Sequence, residues 1–358
     1  MGNFSDKALN VAISRIPQTN YLTGTSAAAS SFVREELKQR TLPNHTASER
    51  DNADYATGFG QPTESWMEEL SNGWPWSFDV SAENIGRYLL AAMGGVTTTQ
   101  PDAGGHPTVY QHVFAPLDVI ATAQLPAYSL LAQLLPGASG INKKLPSMVA
   151  RNLRLSSSGT AKLDGSIDWA GAGEETDPSG VTWASHVNEI QGTQHYFFAK
   201  QAELITSNTD GSSPVDEKCE LKSCSFGIDN QLIDNDFGCP RFKNNDPALG
   251  AIRSHHLLDR QNFSMEFTIK MRANNPHHTA LINRTPFRIV KKWIGGTISG
   301  SYKYSLEITS YLSKYAAVET GFEDGMTVVR VTPRQLFNVS QNKIVDVKLI
   351  NTVASYTA

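Results

Sequence analysis

The chain has 358 residues, 40% hydrophobic and 18% charged, which is enough apolar content for a folded core and for about two domains of ordinary size. Its formal net charge is −4, with 31 Lys and Arg against 35 Asp and Glu, and no block of like charges predicts a basic nucleic-acid-binding face. No run approaches the ~20 apolar residues of a membrane-spanning helix, and Met1–Asn10 lacks a signal-peptide pattern, so we expect a soluble protein with no membrane partner.

Three cysteines lie within one stretch of the chain. Cys219, Cys224 and Cys239 are odd in number and clustered, which is typical of a protein that folds in a reducing cytoplasm. Together with His255 or His256 they offer the donor atoms of a zinc site, but the gap between the first two cysteines is longer than the usual zinc knuckle. We expect buried or idle thiols and no metal.

Strand patterns dominate the sequence. From Phe263 to Met271 every second residue is apolar and the residues between are polar, which is typical of a strand with one buried face. The same alternation occurs in residues 74–80, 163–169 and 345–349. The sequence therefore predicts mainly antiparallel β structure.

Two segments are predicted to be helices. The first runs from about Ala82 to Met93, where apolar residues share one stripe, Ser81 can cap the start and Gly94 can end it. The second runs from Pro286 to Ile294, with Thr285 as its cap and paired glycines after it. Because the second segment is short, a strand remains the alternative there.

The order of these patterns recurs along the chain. Residues 31–37 resemble residues 225–232, and the tripeptide at 128–130 recurs at 304–306. A patterned strand is followed by a predicted helix in each half, and each half closes with an alternating strand. A preserved order of this kind indicates an internal duplication.

We therefore expect a mainly β (α+β) fold of two tandem β-sandwich or partial-barrel units, each flanked by a short helix. The first unit is predicted to span residues 1–205 and the second residues 206–358. The polar run Thr206–Pro214 has the composition of a linker or a long loop. Gly171–Gly180 has the composition of the tip of an extended hairpin.

No strong catalytic motif is present. Gly58–Gly60 lacks the spacing and the lysine of a phosphate-binding loop. Glu68–Glu69 and Glu174–Glu175 are adjacent carboxylates that point to opposite faces of a strand, although a carboxylate pair from two separate strands stays open as an enzymatic alternative. His255–His256 and His277–His278 have no further ligands at metal-binding spacing. We expect no catalytic, cofactor-binding or metal-binding residue, no cofactor, and a protein that is not an enzyme.

Tryptophans offer one further binding chemistry, because aromatic faces stack on sugars. The candidates are Trp74, Trp76, Trp169, Trp183 and Trp293. Four of the five lie in patterned segments, where core tryptophans also lie. We expect them in the core, and a carbohydrate-binding β-sandwich remains an alternative.

Several segments resemble the tail tube proteins of long-tailed bacteriophages. In the first half these are Ala82–Gly95 and the following strand His112–Pro116, and in the second half Phe226–Asn230 and Leu349–Asn351. The resemblance spans about Ser31 to Asn351 and rests on structural patterns, not on catalytic signatures.

The resemblance implies a structural virion protein whose inner strands join those of neighbouring copies into a closed barrel. It implies self-association in stacked rings, trimeric and pseudo-hexameric for a duplicated chain or hexameric otherwise. It further implies tape-measure, tail-terminating and baseplate proteins as partners, and DNA that passes through without specific binding. The expected location is the virion tail, assembled in the host bacterial cytoplasm. Another virion component, such as a decoration or spike protein, is the nearest alternative.

Overall fold

The computed structural model describes residues 9–18, 31–51, 65–117, 124–133, 142–171, 182–188, 193–217, 220–233, 241–242, 251–252, 258–271 and 276–357. Within these ranges the protein is mainly β, with three short α-helices. No helix in the described ranges is long and apolar enough to cross a membrane. The predicted mainly β fold class is confirmed.

The strands of the first half are β1 Asn10–Ser14, β2 Phe32–Glu35, β3 Asn44–Asp51, β4 Ser65–Asp79, β5 Gly94–Thr99, β6 Tyr110–Pro116, β7 Tyr128–Gln133, β8 Asn142–Ser158, β9 Asp164–Gly171 and β10 Val187–Asn188. Those of the second half are β11 Ala202–Ser207, β12 Val215–Asp216, β13 Leu221–Leu232, β14 Arg241–Phe242, β15 Ala251–Ile252, β16 Leu258–Lys270, β17 Phe287–Ser299, β18 Tyr302–Glu323, β19 Met326–Gln335 and β20 Val345–Asn351. The helices are α1 Ile85–Met93, α2 Trp183–His186 and α3 Pro276–Ile282.

The period-2 patterns become strands with one buried face. Trp74, Trp76 and Phe78 of β4 are at most 1% exposed, and the residues between them lie on the opposite face of the sheet. The same holds for β9, where Ile167 and Trp169 are buried. These side chains enter one large core cluster that receives residues from both halves of the chain.

Eight strands pair in the continuous order β3–β4–β9–β8–β13–β16–β19–β18, and every pair in this run is antiparallel. We call this run the long sheet. The β8–β13 pair joins the first half of the chain to the second. The pairing order therefore occurs twice, because β3–β4–β9–β8 is followed by β13–β16–β19–β18.

Further strands continue from the first portions of β8 and β18. β7, β1 and β2 follow β8, while β17, β11 and β12 follow β18. β20 also pairs with β18 and carries β6 and β5. Buried residues of β1, β6, β7, β11, β17 and β20 enter the same core cluster as those of the long sheet.

The helix α1 lies inside this packing, and all nine of its residues are buried. It begins at Ile85, three residues later than the sequence predicts, after a turn in which the Ser81 hydroxyl accepts a hydrogen bond from the Asn84 backbone N–H at 3.2 Å. It ends at Gly94, whose φ of 93° suits a residue without a Cβ. The stripe of apolar residues packs against β8 and β6.

The second predicted helix is wrong, and its strand alternative is what forms. Residues 286–294 lie largely in β17, where Phe287, Ile289 and Trp293 are buried at every second position. The Thr-Pro start and the paired glycines imitate helix caps, but the side-chain period is that of a strand. The helix of this region is α3, which begins ten residues earlier, at Pro276.

The predicted boundary between residues 205 and 206 falls inside β11. Residues 208–214 form the loop between β11 and β12, closed by a hydrogen bond from the Asn208 N–H to the Ser212 carbonyl at 3.0 Å. The 31–37 and 225–232 segments occupy different places, because β2 pairs with β1 and β10 whereas β13 pairs with β8 and β16. Residues 172–180 lie outside the described residues.

Candidate functional site

Two of the cysteine and histidine candidates are built into the packing. His277 is buried in α3 with its Nδ1 2.9 Å from the Tyr315 hydroxyl, and Cys224 is buried with its thiol pKa raised by that burial. His255, His256, Cys219 and Cys239 lie outside the described residues. Among the described residues, no group of three or more His, Cys, Asp or Glu side chains is placed to hold a metal ion.

Four tryptophans occupy the core and not a sugar platform. Trp74, Trp76, Trp169 and Trp293 are at most 2% exposed. Trp74 and Trp76 meet edge to face with their ring centroids 5.2 Å apart, and Trp76 meets Trp169 at 5.7 Å. Trp183, in α2, is half-buried against a smaller core cluster. The aromatic faces of the four core tryptophans are therefore closed to a ligand.

A cleft of about 330 Å³ beside the start of α1 gathers charged side chains. At its base the Arg87 guanidinium donates to the Glu35 carboxylate at 2.6 Å and 3.2 Å, with both side chains buried. Burial raises the pKa of Glu35, and the attraction of Arg87 works against that rise. This pair ties β2 to α1.

The mouth of the same cleft holds a second ionic group. Burial alone would raise the pKa of Asp79, but hydrogen bonds from Lys38 and Lys162 outweigh it and hold that pKa below its usual value. Lys162 lies 2.9 Å from Asp79, and Lys38 also bonds Asp164. Since these charges are matched, the group joins the segments of chain that carry them.

A lysine lies in the core where sequence reasoning did not place one. Lys291 of β17 is 1% exposed and donates hydrogen bonds to the backbone carbonyls of Ser225 at 2.5 Å and Glu266 at 2.7 Å. Burial lowers its pKa from 10.5 to about 8. The signal was its position between the buried Ile289 and Trp293 in a period-2 pattern.

The long sheet has one polar face, opposite the core. Its centre is a shallow groove of about 620 Å³ lined by five serines and by two basic and two acidic side chains, Lys38, Arg154, Asp164 and Glu266. The serines of this groove are Ser77, Ser156, Ser166, Ser225 and Ser264. They lie on adjacent strands in register, for example Ser77 opposite Ser166 and Ser156 opposite Ser225. We call this surface the serine face.

The long sheet ends in two open edges. Among the described residues, β3 pairs with β4 alone, and the last part of β18, from residue 314 to 323, pairs with β19 alone. An unpaired edge exposes backbone N–H and C=O groups that can pair with another strand. The matching edge of β8 carries β13 of the same chain.

Side-chain burial differs sharply between β8 and β18. Two rows of directly opposed residues cross three strands each: Trp76, Ile167 and Leu153 in the first half, and Phe267, Val331 and Val318 in the second. We match the two rows because Leu153 and Val318 each lie two residues after the extra residue of a β-bulge, and because α1 and α3 each begin nine residues after Trp76 and Phe267. On β8, Leu155 and Ser157 are 1% and 5% exposed, whereas on β18 Thr320 is exposed and Phe322 is 86% exposed. Phe322 lies on the core-facing side, where β18 lacks the cover that β8 has.

Neither a protein-family model nor a curated protein matches this chain. The serine face and the open edges are the features of the structure that bear on its function. Neither the serine face nor the open edges could be predicted from the sequence, because paired strands are distant in sequence and no residue pattern marks a strand edge.

Proposed function

We propose that this protein is a tail tube subunit of a long-tailed bacteriophage. In this proposal it is a structural, non-enzymatic protein whose copies close into rings, and the rings stack into the conduit for DNA. The observation that carries the proposal is the open edge of β18, because the matching edge of β8 is completed by β13. The resemblance of the sequence to this family supports the same conclusion.

Two unlike edges at opposite ends of one sheet favour a ring. If β18 of one copy pairs with β3 of the next, each copy uses two different surfaces, which is a head-to-tail contact. Such contacts generate rings when the rotation closes, and closure leaves no unpaired edge. The repeated pairing order supports two units per chain, so three copies would place six similar units around the ring.

The serine face suits the wall of a channel. Firm binding to DNA needs several Lys or Arg contacts to phosphate, whereas the two basic side chains of this groove, Lys38 and Arg154, are balanced by two acidic ones, Asp164 and Glu266. Lys38 is moreover paired with Asp164 within the same chain. DNA would pass such a surface without being held, as a conduit requires. Tape-measure, tail-terminating and baseplate proteins are the further partners that this proposal implies.

Sedimentation of two matched variants tests the role of the open edge. Phe322→Ser removes an 86% exposed phenylalanine at the β18 edge, and Phe337→Ser removes a 52% exposed one in the loop after β19. Burying a phenylalanine is worth about 1.5–3 kcal/mol, so Phe322→Ser should weaken each contact roughly 10- to 100-fold. Both variants should fold as the unchanged protein does.

The proposal predicts large assemblies for the unchanged protein and for Phe337→Ser, and mainly monomers for Phe322→Ser at the same concentration. Equal assembly of both variants would show that the β18 edge is not the contact. A carbohydrate-binding protein would stay monomeric and bind glycans, and a decoration or spike protein would form no tubes.

A further inference from the structure

We infer that the next copy docks in one defined register, with Glu319 of β18 opposite Asn44 of the next copy's β3. This inference rests on the proposed function, because it names the contact by which one copy holds the next. It comes from the contact between β8 and β13, which the single chain already contains and which serves as a template. In that template Arg154 lies opposite Gly227, and Leu153 lies opposite Ile228.

The two matching rows identify the residue of β18 that corresponds to Arg154 of the template. Leu153 and Val318 occupy the same place, each at the end of a row that crosses three strands. The next residue along each strand is Arg154 on β8 and Glu319 on β18. Glu319 therefore takes the place of Arg154.

The residue of β3 that corresponds to Gly227 follows from the strands that precede the helices, β4 before α1 and β16 before α3. Gly227 lies opposite Ser264, which is three residues before Phe267. Asn44 lies opposite Gly73, which is likewise three residues before Trp76. Because Phe267 and Trp76 occupy the same place in the two rows, Asn44 takes the place of Gly227.

The alternation of side chains restricts the other registers. A shift of the register by one residue would move every β3 side chain from the core side of the sheet to the serine face, or the reverse. The competing registers are therefore slips by two residues, which place Glu319 opposite Leu42 or Thr46. In all three registers the paired side chains are exposed in the single copy, so each pair can be tested by cross-linking.

Cysteine pairs distinguish the three registers. Directly opposed Cβ atoms lie about 4.5–5.5 Å apart and diagonal ones about 7–8 Å apart, so a disulfide forms readily only in the true register. We would compare Glu319→Cys combined with Asn44→Cys, with Leu42→Cys or with Thr46→Cys, under mild oxidation. The two single variants Asn44→Cys and Glu319→Cys, together with the unchanged protein, control for the native cysteines.

The inference predicts a ladder of covalently linked chains, most abundant for the Glu319 and Asn44 pair and absent from the single variants. The largest covalently linked species gives the number of chains in a ring, and the proposed duplication predicts a trimer. A stronger ladder from either shifted pair, in protein that forms rings, would overturn the register and leave the proposed function standing. Unchanged protein that never assembles would instead overturn the proposed function.

Discussion

Replacing the buried Lys291 by methionine should remove one specific pH dependence of stability. The Lys291 ammonium is buried, and its hydrogen bonds go to two backbone carbonyls. Methionine has a similar length and no charge, so Lys291→Met keeps most of the packing. The difference between the two proteins then reports on the ammonium group.

The size and sign of this pH dependence follow from the pKa of the Lys291 ammonium group. Burial lowers the pKa of Lys291 from 10.5 to about 8, so between these values the unfolded chain holds the proton that the folded protein has lost. The free energy of unfolding should therefore rise with pH across this interval. The full rise corresponds to roughly 3 kcal/mol, and it is absent below pH 8 because both states are then protonated.

Urea unfolding of both proteins from pH 7 to pH 10.5 measures this effect. Tyrosines titrate in both proteins and cancel in the difference between the two curves, which reports on Lys291 and on its electrostatic interaction with Cys224. We expect the unchanged protein to gain stability relative to Lys291→Met as the pH rises. Parallel curves would refute the reasoning, since they would mean that the carbonyl hydrogen bonds outweigh burial and keep the ammonium charged.

Three further substitutions test the core. Arg87→Met should cost about 3–5 kcal/mol of unfolding free energy, because it leaves the buried Glu35 carboxylate without its partner, and chemical denaturation measures the loss. Gly94→Ala should cost about 1 kcal/mol or more, because φ is 93° there and an added Cβ meets the Leu117 side chain, whereas Gly296→Ala, with open space around it, should lower the melting temperature little. Burial lowers the pKa of His112 from 6.5, so the unchanged protein should lose stability as the pH falls below 6.5, and His112→Asn should not share that slope.

The sequence predicted the elements whose residues are patterned locally. The burial of Trp74, Trp76 and Phe78 follows from a period of two, and α1 follows from a stripe of apolar residues ending at a glycine. Residues 286–294 show the limit of this reasoning, since local cap signals competed with a side-chain period of two. The period prevailed because Phe287 and Ile289, which are both buried, share one face only in a strand.

The open edge could not be predicted in the same way. Leu155 is buried and has β13 paired beside its strand, whereas Thr320 is exposed and, among the described residues, has a paired strand on one side alone. Which strand lies beside which is decided by contacts between residues far apart in the chain. The burial of Lys291 could have been predicted from the sequence, because this residue occupies an apolar position of an alternating strand.

Electron microscopy of the purified, unchanged protein tests the central claim most directly. The account predicts rings stacked into open-ended tubes, with three chains in each ring and the serine face lining the channel. It is contradicted if the protein remains a monomer at every salt concentration, or if it assembles into particles without a channel.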